Sequence, residues 1–165
     1  MKNILKIITM ALCLMLLPGA LALTASPRWT LRQTTKPSTA VTVAGTSRVA
    51  LADEVVRQVN AERAKAGLRP LAVSAELTRA ARVRAGEIVK KFSHTRPDGS
   101  AWNTVSSAAY GENIAMGQRT ADKVMAAWMT SPGHRANILR PSFGSIGVCA
   151  YVSGGVTYWA QLFGR

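Results

Sequence analysis

The chain predicts an α+β domain in which helices pack on a small, mainly antiparallel sheet. Three observations carry this. Apolar residues recur at three- and four-residue spacings between residues 49 and 92 and again between 120 and 139, the period of amphipathic helices. From residue 145 the pattern changes to apolar runs rich in β-formers, broken by Ser153-Gly154-Gly155, which reads as a C-terminal hairpin. Helices first and a small interrupted sheet afterwards argue for helices layered on that sheet.

The first helix begins near Val49, with Ala52, Val55, Val56 and Val59 on one face and Arg57, Glu62, Arg63 and Lys65 facing outward. Gly67 ends it, a favoured place for a left-handed cap. After Pro70, Ser74 is positioned to cap a second helix whose stripe runs Leu77, Ala81, Ala85, Ile88 and Phe92, delivering His94 just past its end. Asn113 to Met116 is a candidate third strand. Thr120 caps a third helix carrying Val124, Ala127 and Trp128 on one side. Pro132 suits the first turn of a short fourth helix, which places His134 in that turn and Ile138 and Leu139 in the core. Ser145 to Val152 and Val156 to Phe163 form the hairpin. Trp128, Trp159, Tyr158 and Phe163 read as core, while Gln161 faces either solvent or the site.

Ahead of the domain lies a different composition. Met1-Lys2-Asn3-Ile4-Leu5-Lys6 is followed by an almost wholly apolar run from Ile7 to Leu17, a Pro18-Gly19 break and the small residues Ala20-Leu21-Ala22. That is the layout of a secretory signal peptide over residues 1–22; its alternative is an uncleaved membrane anchor. Residues 23–48 are rich in Thr, Ser and Pro, hold four cations and no acid, and show no period, as expected of a flexible basic linker. The globular domain then occupies residues 49–165, long enough to be held by its own core. Cys149, the only cysteine beyond the leader, has no internal partner and reads as a small buried strand residue.

The net charge is +13, and loss of the two leader lysines leaves about +11. Such a chain is drawn to anionic envelope polymers and lipid headgroups. Membrane association is expected only peripherally or through an uncleaved leader. No basic-aromatic recognition motif is present, which argues against nucleic acid as a partner. There is no Gly-x-Ser-x-Gly elbow and no His-Glu-x-x-His pair, which removes two common hydrolase classes.

The two histidines of the chain, His94 and His134, each lie in a segment with Gly, Pro or Asn, and Glu112 lies between them in sequence. Two imidazoles and a carboxylate are a minimal set for holding a divalent cation or moving a proton near neutral pH. Each also has a plainer reading. His94 suits a cation at a helix end, His134 a surface residue kept neutral by a helix N-terminus, and Glu112 a capping or salt-bridging carboxylate.

Several ordered segments together resemble the CAP superfamily (the SCP domain of cysteine-rich secretory proteins, venom antigens and plant pathogenesis-related proteins), in its disulfide-free bacterial branch. They are Asn60-Ala61-Glu62-Arg63 with Leu68-Arg69-Pro70-Leu71, Phe92-Ser93-His94, Arg96-Pro97-Asp98-Gly99, Gly111-Glu112-Asn113-Ile114-Ala115, Ser131 to Leu139, Ile146-Gly147-Val148 and Trp159 to Gly164. The resemblance implies a three-layer α-β-α sandwich. It implies that His94, Glu112 and His134 line one cleft, as ligands for a divalent cation such as zinc. The rim of that cleft would carry Ser131, Asn113, Asn137 and Gln161. The family's second glutamate is missing, with Met129-Thr130-Ser131 where it would fall, so a weaker metal site is expected.

Three functions follow as expectations. The first is a secreted or envelope-associated binding module whose His/Glu cleft takes a small ligand, with or without a weakly held cation. The second is a metal-assisted or general-base hydrolase acting on envelope peptides or esters, with His134 or Glu112 as base. The third is a structural or interaction domain attached to anionic envelope polymers. Binding is favoured over catalysis, because the sequence offers a base but neither a nucleophile nor an oxyanion hole.

Overall fold

The computed structural model describes residues 45–165. The leader expected over 1–22 and the expected linker up to residue 44 lie outside the described residues. The elements, in chain order, are β1 (Thr46–Ser47), α1 (Val49–Lys65), β2 (Ala72–Val73), α2 (Ala75–Lys90), a short 3-10 turn (Trp102–Val105), β3 (Gly111–Met116), α3 (Ala121–Thr130), α4 (Pro132–Ile138), β4 (Ser145–Ser153) and β5 (Val156–Gly164). Ser74 Oγ accepts the Leu77 N–H at 3.2 Å and Thr120 Oγ1 the Lys123 N–H at 3.3 Å. Both predicted N-caps therefore close orphan donors of their helices.

The strands form one five-stranded sheet in the order β1-β4-β5-β3, with β2 pairing in parallel against β4. The hairpin is antiparallel, with Ser153 opposite Val156, and it turns through Gly154 and Gly155 at φ 57° and 75°. Positive φ at both central residues matches the strands' right-handed twist, and glycine alone adopts it without strain. β3 lies at one side of the sheet, paired among the described residues with β5 alone, Asn113 opposite Gln161 and Ala115 opposite Trp159.

Two apolar cores sandwich the sheet. On one face α1, α3 and α4 bury Val55, Val59, Val124, Trp128 and Ile138 against Ile146, Trp159 and Phe163. On the other, α2 buries Leu77, Ala81 and Ala85 against Cys149, Ala160 and Leu162. This is the three-layer α-β-α architecture. Its tightest approach is at Gly147, where a Cβ would sit 2.1 Å from the Leu77 carbonyl carbon and 2.3 Å from the Thr78 nitrogen. The backbone of α2 rests directly on β4 there.

Three expectations need correction. The predicted linker does not run to residue 48, because Thr46 and Ser47 pair with Val152 and Tyr151 and the Arg48 N–H donates to the Ala150 carbonyl at 2.7 Å. A two-residue strand is too short to show a period. Arg63 does not face outward: it is 1% exposed and donates to the carbonyls of Arg69, Ile138, Arg140 and Phe143 at 2.9–3.3 Å. Phe92 is not core; α2 ends at Lys90 and the ring stands 46% exposed. No helix of the described residues is long and apolar enough to cross a membrane.

Candidate functional site

The site is built outward from an arginine that the alanine-rich stripe of α2 admits. Arg84 has no exposed surface, and its small neighbours Ala80, Ala81 and Ala85 leave room for a guanidinium against the sheet. Its Nε donates to Glu112 Oε2 at 2.6 Å, Nη1 to Glu87 Oε2 at 2.6 Å, and Nη2 to the Ser93 carbonyl at 2.8 Å. Glu87 also accepts from Arg96 Nη2 at 2.6 Å. Burial opposes the charge on Arg84, but the bonds to Glu112 and Glu87 outweigh it and hold the guanidinium above its usual range.

Glu112 projects from β3 into this network. Its Oε1 lies 2.7 Å from His94 Nδ1, while its side chain is 1% exposed. A carboxylate at that distance requires the proton on Nδ1, which leaves Nε2 of a neutral His94 as the acceptor. His94 is thus oriented by Glu112, and Glu112 by Arg84.

His134 reaches the same place from the opposite layer. It sits in the first turn of α4, after Pro132. Burial, and then the charge of His94, push its imidazole below the usual 6.5, which favours the neutral form at neutral pH. Beneath it runs a chain of amides. Asn113 Nδ2 donates to the His134 carbonyl at 3.1 Å and to Gln161 Oε1 at 2.9 Å. Asn137 Nδ2 donates to Asn113 Oδ1 at 3.0 Å and to the Glu112 carbonyl at 3.1 Å. This cluster ties α4 to β3 and β5.

Both imidazoles open onto one cleft of about 570 Å³, walled also by Phe92, Ile114, Met116, Trp128 and Ser131. The remaining expected residues lie behind it. Glu112 is buried under His94, and Asn113 and Gln161 are buried in the amide cluster, which Asn137 completes. Gln161 therefore faces the interior, not solvent. Among the described residues no three His, Cys, Asp or Glu side chains come together as a metal cage. Both Glu112 oxygens already meet Arg84 or His94. Two imidazoles backed by an engaged carboxylate do not fit a resident divalent cation.

Arg84, Glu87 and Gln118 were not visible as site residues in the sequence. Arg84 left a signal all the same, falling seven residues after Leu77 on the buried stripe. Gln118 also lines the cleft, and its side-chain oxygen is buried without a donor among the described residues.

Helices on both faces of this sheet and paired histidines at its β3 side define a domain of the CAP class. The family model described as "CAP: Cysteine-rich secretory protein family" matches residues 56–163, and the chain belongs to that family. The protein YkwD of Bacillus subtilis is 39% identical over 140 residues, covering 80% of this chain and 54% of YkwD. The chain thus spans about half the length of that relative. Among solved structures, an extracellular SCP-domain protein of Bacillus anthracis aligns with a TM-score of 0.64 at 23% identity, covering 71% of this chain and 41% of its own. An outer surface protein of Borrelia burgdorferi aligns with a TM-score of 0.62 at 17% identity, covering 73% of this chain and 98% of its own. At these identities the structures support the fold alone.

Proposed function

We propose that this chain is a secreted or envelope-associated binding module that takes a small ligand in the cleft between His94 and His134. The observation that carries the reading is the wall itself, apolar surface from Phe92, Met116 and Trp128 with two imidazoles from opposite layers. A few oriented polar groups in an apolar cleft are the usual composition of a ligand site. The signal-like leader and the extracellular and outer-surface character of the structural neighbours support the location. The net charge of +13 supports attachment to anionic envelope polymer or lipid. That attachment should weaken as salt is raised, measured by sedimentation with envelopes.

The test of the cleft is a panel of lipids, wall polymers and peptides titrated against wild type, His94→Ala and His134→Ala. A ligand that both substitutions weaken supports the reading; a panel in which neither matters removes it. One observation favours a second reading, general-base hydrolysis of an envelope peptide or ester: His94 is held by a carboxylate, as a catalytic base commonly is. Turnover of such a substrate that disappears in His94→Ala would establish it.

A further inference from the structure

The outer side of α2 differs in charge from the helices on the other face of the sheet. Toward the sheet α2 buries Leu77, Ala80, Ala81, Arg84, Ala85 and Ile88. The stripe opposite them runs Arg79, Val83, Gly86 and Lys90, at the four- and three-residue spacings that bring positions onto one line of a helix. Arg82 flanks this stripe, Lys91 follows it, and all four cations are exposed. None of the four forms an ion pair among the described residues. Glu87 is taken by Arg84 and Arg96, and the exposed Glu76 accepts from Ser106 Oγ. Asp53 of α1 shares the wall of a small cavity with Arg82 but does not pair with it. On α1 and α3 the balance is different. There Glu54 pairs with Arg57, Glu62 with Lys65, and Asp122 accepts from Gln58.

Two further features mark the α2 face. Val83 stands 48% exposed among its cations, and exposed Phe92 lies just past its end. Gly86 sits mid-stripe, where a Cβ would meet no atom within 4 Å. A glycine inside a helix weakens it, and no described residue needs the space it leaves. Bare backbone on the outermost line of α2 lets a broad surface come close.

We infer that the outer face of α2 docks the protein on an anionic phospholipid bilayer. The inference rests on the envelope-attachment reading above and gives it a face and a partner. Arg79, Arg82, Lys90 and Lys91 meet headgroup phosphates. Val83 and Phe92 enter the headgroup layer, an apolar boundary that a hydrated polymer does not offer. Phe92 also walls the cleft, so docking sets the cleft beside the lipid.

The test is co-sedimentation of the exported chain with phosphatidylcholine vesicles containing phosphatidylglycerol. Two triple variants of equal net charge are compared, Arg79→Gln with Arg82→Gln and Lys90→Gln, and Arg69→Gln with Lys123→Gln and Arg140→Gln. The first should weaken binding about a hundredfold, as loss of three surface cations requires, and the second only a few-fold. Gly86→Gln should melt no lower than wild type, being a better helix former, yet bind the vesicles several-fold more weakly. A merely structural glycine would not separate those two readouts. Equal loss in both triple variants overturns the α2 face while leaving attachment by net charge in place. Binding to pure phosphatidylcholine as tight as to the anionic vesicles, or a Gly86→Gln protein that binds as wild type, also overturns it. Binding to long-chain inorganic polyphosphate without vesicle binding overturns lipid as the partner and keeps attachment. Binding to neither, and to no envelope preparation, removes the attachment reading together with the inference.

Discussion

Two arginines are buried on opposite faces of the same sheet, and they are satisfied in different ways. Arg63, on the α1 face, meets no acid among the described residues; its guanidinium is held by four backbone carbonyls around the turn before β2 and the loop after α4. Burial, and then the charge of Arg69, pull it below its usual range. Arg84, on the α2 face, meets two glutamates and is pushed the other way. The first arginine fastens loops. The second sets the charge behind His94, acting through Glu112.

The comparison breaks most sharply at Arg84. Arg84→Met should destabilise the domain by about 3–5 kcal/mol, because it strands the buried Glu112 without its partner. Adding Glu112→Leu should recover most of the loss in chemical denaturation; if it does not, packing rather than charge explains Arg84. Arg63→Met comes next, at about 2–3 kcal/mol from carbonyls left without donors. Arg63→Lys should rescue little of it, since one ammonium cannot reproduce the planar fork.

Acidification probes the histidine between these two regions. His134 has its pKa lowered in the fold below 6.5, so the unfolded chain binds more protons as pH falls through that value. Stability should be full above about 6.5 and decline between there and the lower folded value, then stop declining. His134→Gln should remove that component from melting curves taken across pH. The smallest effect on stability is expected from Ser131→Glu, which adds a carboxylate to the wall beside His134. Zinc affinity measured by calorimetry should rise above that of wild type, because only then does a third donor face the cleft.

Much of this was legible along the chain. The helices and the hairpin follow from local periodicity, and the caps at Ser74 and Thr120 hold as expected. The Asn60 and Arg63 motif explains itself: Asn60 exchanges hydrogen bonds with both backbone groups of Leu71, while Arg63 takes the Arg69 carbonyl. What stayed hidden depended on distant partners. A charged residue on a helix reads as solvent-facing unless its acceptors are known, and those of Arg63 come from residues 69 to 143. Glu112 reads as available until Arg84 is seen to hold it.

Gly147 has no side chain and is not among the residues that wall the cleft, yet it limits how the site can drift over mutational time. Any larger side chain there must lift α2 from β4, since backbone already occupies the space a methyl would need. Lifting α2 carries Arg84 away from Glu112, and His94 then loses its orientation. A homologous chain that keeps the two imidazoles but replaces this glycine should have rebuilt the contact beneath them. The hydrogen at position 147 is therefore a more exacting marker of a working cleft than either histidine alone.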